Sequence, residues 1–272
     1  AASSSRLDGL WKRLGEAEEG PELWQCAQEM LSDERDAEAF LELRTALLVS
    51  SPGRPPRLLM VTSALPREGK TSTVLNLAIA LTQLGRKVLV VDADLRRPRL
   101  HKALGVSGDA GLSNLLSGGG DLPDLVLPTQ ATGLFILPSG PTPPNPAELL
   151  ESEEFTTLTQ RLSTDMTWDH VLFDSPPIGS VTDAATIAPR MDGVVLVVHA
   201  GSTPRTAVAR AAEKLRVVNA RVLGALLNAV DRWHEGYYRE YYSYRTSDED
   251  AGRTEQPRTE AAEEILPANR RA

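Results

Sequence analysis

One cysteine, Cys26, is all that the 272 residues carry. An internal disulfide framework is thereby excluded, and with no cysteine or histidine spacing of metal-site type the chain fits a reducing, cytoplasmic setting. No uninterrupted apolar run approaches the ~20 residues that cross a bilayer, so the sequence contains no membrane span of its own. Positive charge is also in deficit: 29 Lys and Arg stand against 37 Asp and Glu, for a net charge of −8. Such a balance repels a polyphosphate backbone and argues against nucleic acid as a partner. Tyrosine is missing from everything before Tyr237, and all five tyrosines lie in YYREYYSY, Tyr237 to Tyr244. No internal repeat is present, and the start at Ala1 without a methionine or signal pattern suggests a processed or truncated piece of a longer protein.

What is there suits a soluble domain: 41% apolar and 24% charged residues, with a length that allows one main core plus arms. Residues 1–35 mix Ser3-Ser4-Ser5, acidic runs and scattered apolar residues, as a linker or arm does. From Asp36 to Leu48, apolar residues at Phe40, Leu43, Leu47 and Leu48 have helical spacing, and Ser51-Pro52-Gly53 ends the helix. Short apolar runs follow at Leu58–Ser63, Lys87–Asp94 and from Leu134, His170, Gly193 and Arg221, with amphipathic helices between them, notably Thr71–Leu84 and Thr203–Val218. Apolar strands without polar alternation, separated by helices, predict a mostly parallel sheet covered on both faces: a three-layer α/β domain over residues 36–230. The five prolines of PSGPTPPNP, Pro138–Pro146, predict an ordered turn or exposed loop. Residues 231–245 hold the tyrosine cluster, and the polar, charged tail 246–272 is expected to be disordered.

Ser63-Ala64-Leu65-Pro66-Arg67-Glu68-Gly69-Lys70-Thr71 follows a strand and opens a helix, the setting of a phosphate-binding loop. The loop Pro66–Ser72 can surround phosphates, with backbone N–H groups from Arg67 onward, Lys70 can reach the outer ones, and Thr71 can offer its hydroxyl to Mg2+. Ala64 stands where the usual pattern has its first glycine. Asp92 and Asp94 close the strand VLVVDAD two residues apart, which predicts that both leave one face at the ligand-binding edge. One of them can accept a proton from an attacking hydroxyl, and the spacing does not choose between them. Asp174 ends HVLFD in the manner of a Walker-B aspartate that organises a metal. Thr71, Asp92 and Asp174 are thus the candidate Mg2+ residues, and Lys70, Asp92 and Asp94 the catalytic candidates. Arg96-Arg97-Pro98-Arg99 follows as a basic loop able to approach phosphates or an acidic neighbour, with surface solubility explaining it nearly as well. Thr182 reads as the cap of the next helix, and Thr182-Asp183 alternatively as a sensor of nucleotide state.

These segments resemble the bacterial tyrosine kinases of capsular and exopolysaccharide export, P-loop proteins of a different fold from eukaryotic protein kinases. The resemblance runs from about Asp36 to Tyr244. It is carried by SALPREGKTST as Walker A, VLVVDADLRRPRLH as the A′ motif, VLFDSPP as Walker B, LPSGPTPPNPAELLES, VTDAATIAPRMDGVVLVVHAG, VLGALLNAVD and the tyrosine cluster. It implies a P-loop NTPase fold that uses ATP and Mg2+, with Asn228 near the adenine base. It also implies autophosphorylation at Tyr237, Tyr238, Tyr241, Tyr242 and Tyr244. The partners implied are a homo-oligomer, a membrane polysaccharide co-polymerase-type activator in cis or trans, and a tyrosine phosphatase. The location implied is the inner face of the cell membrane, reached through a partner or a preceding membrane region. In the family, Glu-x-x-Arg-x-x-Arg before the core packs neighbouring subunits in a ring. Here Glu38 and Arg44 are present but Leu41 occupies the middle position, which removes one arginine from such an interface; a solvated helix face accounts for the other two equally well. Partitioning and cell-division ATPases of the same broader class carry a signature lysine early in the loop, where this chain has Leu65. A nucleotide-switch ATPase and an inactive nucleotide-binding regulator remain the alternatives to a kinase.

Overall fold

Residues whose neighbours on both sides are apolar can be buried on both faces of a strand, and the strands of this chain form where such runs occur. The computed structural model describes residues 34–51, 53 and 55–230. The arm before Glu34, the tyrosine cluster and the tail lie outside the described residues. Contacts divide the chain into two units at Val230 and Asp231.

Helix α1, Glu34–Val49, precedes β1, Leu58–Ser63, α2, Lys70–Thr82, and β2, Val88–Asp92. Three short helices follow, α3 (Leu100–Ala103), α4 (Leu112–Leu116) and α5 (Leu122–Leu125), and then β3 (Leu127–Pro128) and β4 (Leu134–Leu137). The chain continues through α6 (Pro146–Glu151), α7 (Glu153–Thr164), β5 (His170–Asp174) and α8 (Asp183–Ile187). It ends in β6 (Gly193–His199), α9 (Arg205–Val217) and β7 (Val222–Asn228). The sheet order is β3-β4-β2-β5-β1-β6-β7, parallel throughout except for the β3–β4 pair.

Alternate residues of the central strands feed two cores. Leu59, Val61, Val88, Val90, Leu172 and Val195 pack with Leu75 and Leu77 of α2 and Leu47 of α1. Leu58, Met60, Leu89, Val91, Phe173 and Leu196 pack on the other face with Phe155 and Leu162 of α7 and Leu215 of α9. On that second face, Trp168 meets Phe135 edge-on with ring centroids 4.9 Å apart. The expected three-layer architecture is therefore present. β1 lies between β5 and β6, and the connection from β1 to β2 leaves on one side while β5 to β6 crosses to the other. Such a switch opens a crevice beyond the carboxyl ends of the strands.

Arg44 corrects one expectation. Rather than lying wholly on a solvated helix face, its guanidinium is partly buried and donates 2.8 Å to the Ala80 carbonyl of α2. PSGPTPPNP is an ordered strap, held by Leu112 N and Ser113 N donating to the Pro138 and Ser139 carbonyls. No helix among the described residues is long and apolar enough to cross a membrane.

Candidate active site

The crevice holds a cavity of about 470 Å3 lined by Pro66, Arg67, Gly69, Lys70, Thr71 and Ser72 on one wall and by the loop after β2 on the other. Gly69 fixes the first wall. It sits at φ 88°, and a Cβ there would fall 2.1 Å from Asn228 Nδ2, so both backbone and space require glycine. Arg67 is also left-handed, at φ 64°. Between them the Glu68 side chain is buried. Leu65 N donates to its Oε2 at 2.7 Å, and the Thr203 hydroxyl, in the turn before α9, donates to its Oε1. Asn228, at the end of β7, donates through Nδ2 to the Glu68 carbonyl at 2.9 Å. The Glu68 carboxylate is thus turned into the loop and ties it to Thr203, while its backbone carbonyl ties it to Asn228, which leaves its backbone N–H as the part that faces nucleotide binding. Asn228 does line the cavity, with His199 and the Pro176–Pro177 turn.

The aspartates separate into two kinds. Asp92 and Asp174 are register partners on adjacent parallel strands, and both are buried. Thr71 Oγ1 donates 2.7 Å to Asp174 Oδ2. Asp92 Oδ2 accepts from Arg99 N and Leu100 N, 3.1 and 3.0 Å, and so caps the start of α3. The other oxygen of each, Oδ1, is buried without a hydrogen-bond partner. Burial pushes the Asp174 carboxyl up to about 6, against the opposing pull of Lys70 and Thr71. Asp92 is raised well above the usual range, first by burial and then by the charge of Asp174.

Asp94 lies beyond the end of β2, which closes at Asp92, and its charge acts on both Asp92 and Asp174. It is half-buried and lines the cavity, unlike Asp92 and Asp174. Its pKa is raised by burial, while hydrogen bonding from Arg97 N and the nearby Lys70 pull it back. The loop that carries it is latched: Arg96 Nε and Nη2 donate 2.7 and 2.9 Å to the two oxygens of the fully buried Asp183. Asp183 is the first residue of α8, and Thr182 before it makes no side-chain cap hydrogen bond, contrary to expectation.

Two adjacent buried carboxylates with orphaned oxygens and a threonine hydroxyl on one of them form a donor set of the hard-oxygen kind that Mg2+ takes, and the Lys70 ammonium at the helix start suits phosphate instead. Among the described residues no group of three or more His, Cys, Asp or Glu gathers into a protein-only metal cage. Mg2+ here would therefore share its coordination with phosphate oxygens and water, held by Thr71 and Asp174 with Asp92 behind them. The first-turn N–H groups of α2 have no partner within the helix and suit an anion. Sequence reasoning passed over His199, which the end of a central strand at the ligand edge signalled. It also passed over Thr203, 135 residues from its partner Glu68.

Loop, helix start and strand-end carboxylates define a P-loop NTPase. A family profile described as ParA, NUBPL iron-transfer P-loop NTPase, matches residues 56–251. The tyrosine-protein kinase YwqD of Bacillus subtilis is 38% identical over 193 residues, 71% of this chain and 81% of the relative. The kinase domain of Escherichia coli tyrosine kinase ETK superposes with a TM-score of 0.70 at 32% identity, covering 77% of this chain and 83% of that one. The chain belongs to the bacterial tyrosine-protein kinases, within the P-loop NTPases. The septum site-determining protein MinD of Pyrococcus horikoshii, complexed with Mg-ADP, shares the scaffold more distantly: TM-score 0.53, 28% identity, 63% of this chain and 69% of that one.

Proposed function

We propose that this chain is an ATP- and Mg2+-dependent protein-tyrosine autokinase that phosphorylates its own C-terminal tyrosines and thereby regulates exopolysaccharide or capsule synthesis and export. The observation that carries the reading is Asp94, the one carboxylate among the cavity-lining residues, on the wall facing Lys70 and Thr71. A tyrosine phenol has a pKa near ~10 and needs a base at neutral pH. In the proposed step the phenol proton passes to the Asp94 carboxylate as the phenol oxygen bonds to the γ-phosphorus of ATP. The bond from that phosphorus to the β,γ-bridging oxygen breaks, and ADP leaves with the bond pair. Lys70 and the loop amides neutralise the phosphate oxygens as charge shifts toward ADP. Bound Mg2+ supplies the remaining charge neutralisation.

Asp92 is the less suitable base, because it is fully buried and already accepts two backbone N–H groups. Delivery of the tyrosines in trans, from a neighbouring chain, fits their place beyond the last strand. Each phosphate adds about −1.5 to −2 charge, so successive transfers repel neighbouring acidic tails and loosen a homo-oligomer. A membrane polysaccharide co-polymerase-type activator and a tyrosine phosphatase complete the cycle, at the inner face of the membrane. A nucleotide-switch ATPase is favoured by the ParA-type profile and the shared scaffold with MinD, but Leu65 stands where that class has its signature lysine.

The experiment is incubation with Mg-ATP followed by phosphosite mapping of tryptic peptides. Cleavage after Arg239 separates Tyr237 and Tyr238 from Tyr241, Tyr242 and Tyr244. Phosphate is expected on both peptides and absent with Lys70→Met. Unmodified tyrosines in protein shown to hold ATP would overturn the autokinase reading.

A further inference from the structure

Four arginines surround the mouth of the cavity, and they are not equivalent. Arg96 is neutralised by its two hydrogen bonds to Asp183. Arg99 exerts its field on the buried Asp174, pulling that carboxyl down. Arg67 and Arg97 are exposed, line the cavity from its two walls, and make no ion pair with any described residue. The Arg97 backbone is also held beside the base, since its backbone N–H donates 3.0 Å to Asp94 Oδ1. A hydroxyl that reaches Asp94 must therefore bring its flanking residues past Arg97, and past Arg67 on the opposite wall.

The segment expected to deliver the hydroxyl carries the complementary charge. Between Tyr237 and Asp250 four acidic residues, Glu240, Asp248, Glu249 and Asp250, stand against two basic ones, Arg239 and Arg245. Glu240 lies between the two tyrosine pairs, and the acidic triplet follows Tyr244 by a few residues. Guanidinium groups bind carboxylates, and bind phosphate better, through paired donors.

Resting on the autokinase reading, we propose that Arg67 and Arg97 form an acceptor-docking rim that receives acidic residues beside the target tyrosine of a second copy of this chain. The rim acts on acceptor affinity, whereas Lys70, Thr71 and Asp94 act on nucleotide and chemistry.

The test uses the full chain as enzyme with its five tyrosines changed to Phe, and the full-length Lys70→Met chain as acceptor. A second acceptor carries Glu240→Gln, Asp248→Asn, Glu249→Gln and Asp250→Asn. With exposed contacts of this kind, kcat/KM for the acidic acceptor should exceed that for the neutral one by about fivefold, mostly through KM. The preference should fall below about twofold with Arg67→Gln/Arg97→Gln enzyme, persist with Arg67→Lys/Arg97→Lys, and weaken as salt rises from about 0.1 to 0.5 M. Equal transfer to both acceptors by the enzyme with native arginines overturns the rim and leaves the autokinase reading standing, as does a preference that survives Arg→Gln replacement. No transfer to either acceptor, with ATP bound, overturns the rim and delivery in trans, and the autokinase reading itself falls only if the native chain's own tyrosines also stay unmodified.

Discussion

Asp174 and Asp94 differ in what surrounds them, and each should respond differently to substitution. Asp94→Asn should lower kcat by at least about a hundredfold, the usual scale of general-base catalysis, with ATP affinity nearly unchanged. Asp92→Asn keeps an oxygen for Arg99 N and Leu100 N, and its loss should fall more on Mg2+ affinity than on transfer from saturated enzyme; single-turnover kinetics across Mg2+ concentrations separates the two. For Asp174 the sign of the pH effect follows from its raised pKa of about 6. Folded protein holds this proton more tightly than the unfolded chain, whose carboxylate titrates near ~3.9. Stability from this group is then fully present below that lower value and is lost as pH rises through about 6. Metal-free Asp174→Asn should accordingly melt higher than the native chain at pH 7.5 but not at pH 4, while losing the stabilisation that Mg2+ and ATP confer on the native chain. Differential scanning fluorimetry at the two pH values, with and without Mg-ATP, reads all four outcomes.

At the scale of elements, the phosphate loop is tied to the C-terminal part of the sheet through Glu68, Thr203 and Asn228. Removing one hydrogen bond to a charged group costs about 1.5–3 kcal/mol. Thr203→Val should therefore weaken ATP and ADP binding together, by about tenfold or more, with a smaller change in kcat at saturation. Isothermal titration with ADP checks this without turnover. The loop itself was legible because its residues are contiguous, beginning at a strand end and opening a helix. The tie was not, because Thr203 is a common turn residue and nothing local marks its partner. The central strands were legible for a related reason: burial on both faces leaves unbroken apolar runs such as VLVV. The different surroundings of Asp92 and Asp94 were not legible, because β2 closes at Asp92 and strand alternation does not extend to Asp94. The shortest elements, β3 with its proline and the four- and five-residue helices, lie below the length at which periodicity speaks.

At the scale of the whole molecule, Arg44 binds α1 to α2 within one chain. Arg44→Ala should then lower the unfolding free energy by about 1–2 kcal/mol, as loss of a partly buried charged donor does. Equilibrium denaturation measures that, and sedimentation should find any oligomer unchanged in size.

The burial of Trp168 against Phe135 has a use in measurement. Trp168 is the one tryptophan from Glu34 to Val230, and that stretch has no tyrosine. With Trp11, Trp24 and Trp233 replaced by Phe, its emission becomes a single-site optical reporter of the folded unit. The ultraviolet signature of phenolate, which appears above pH ~10, then belongs wholly to Tyr237–Tyr244. Since an esterified phenol cannot ionise, an alkaline absorbance titration counts the acceptors still free, and one cuvette follows fold and modification on separate channels.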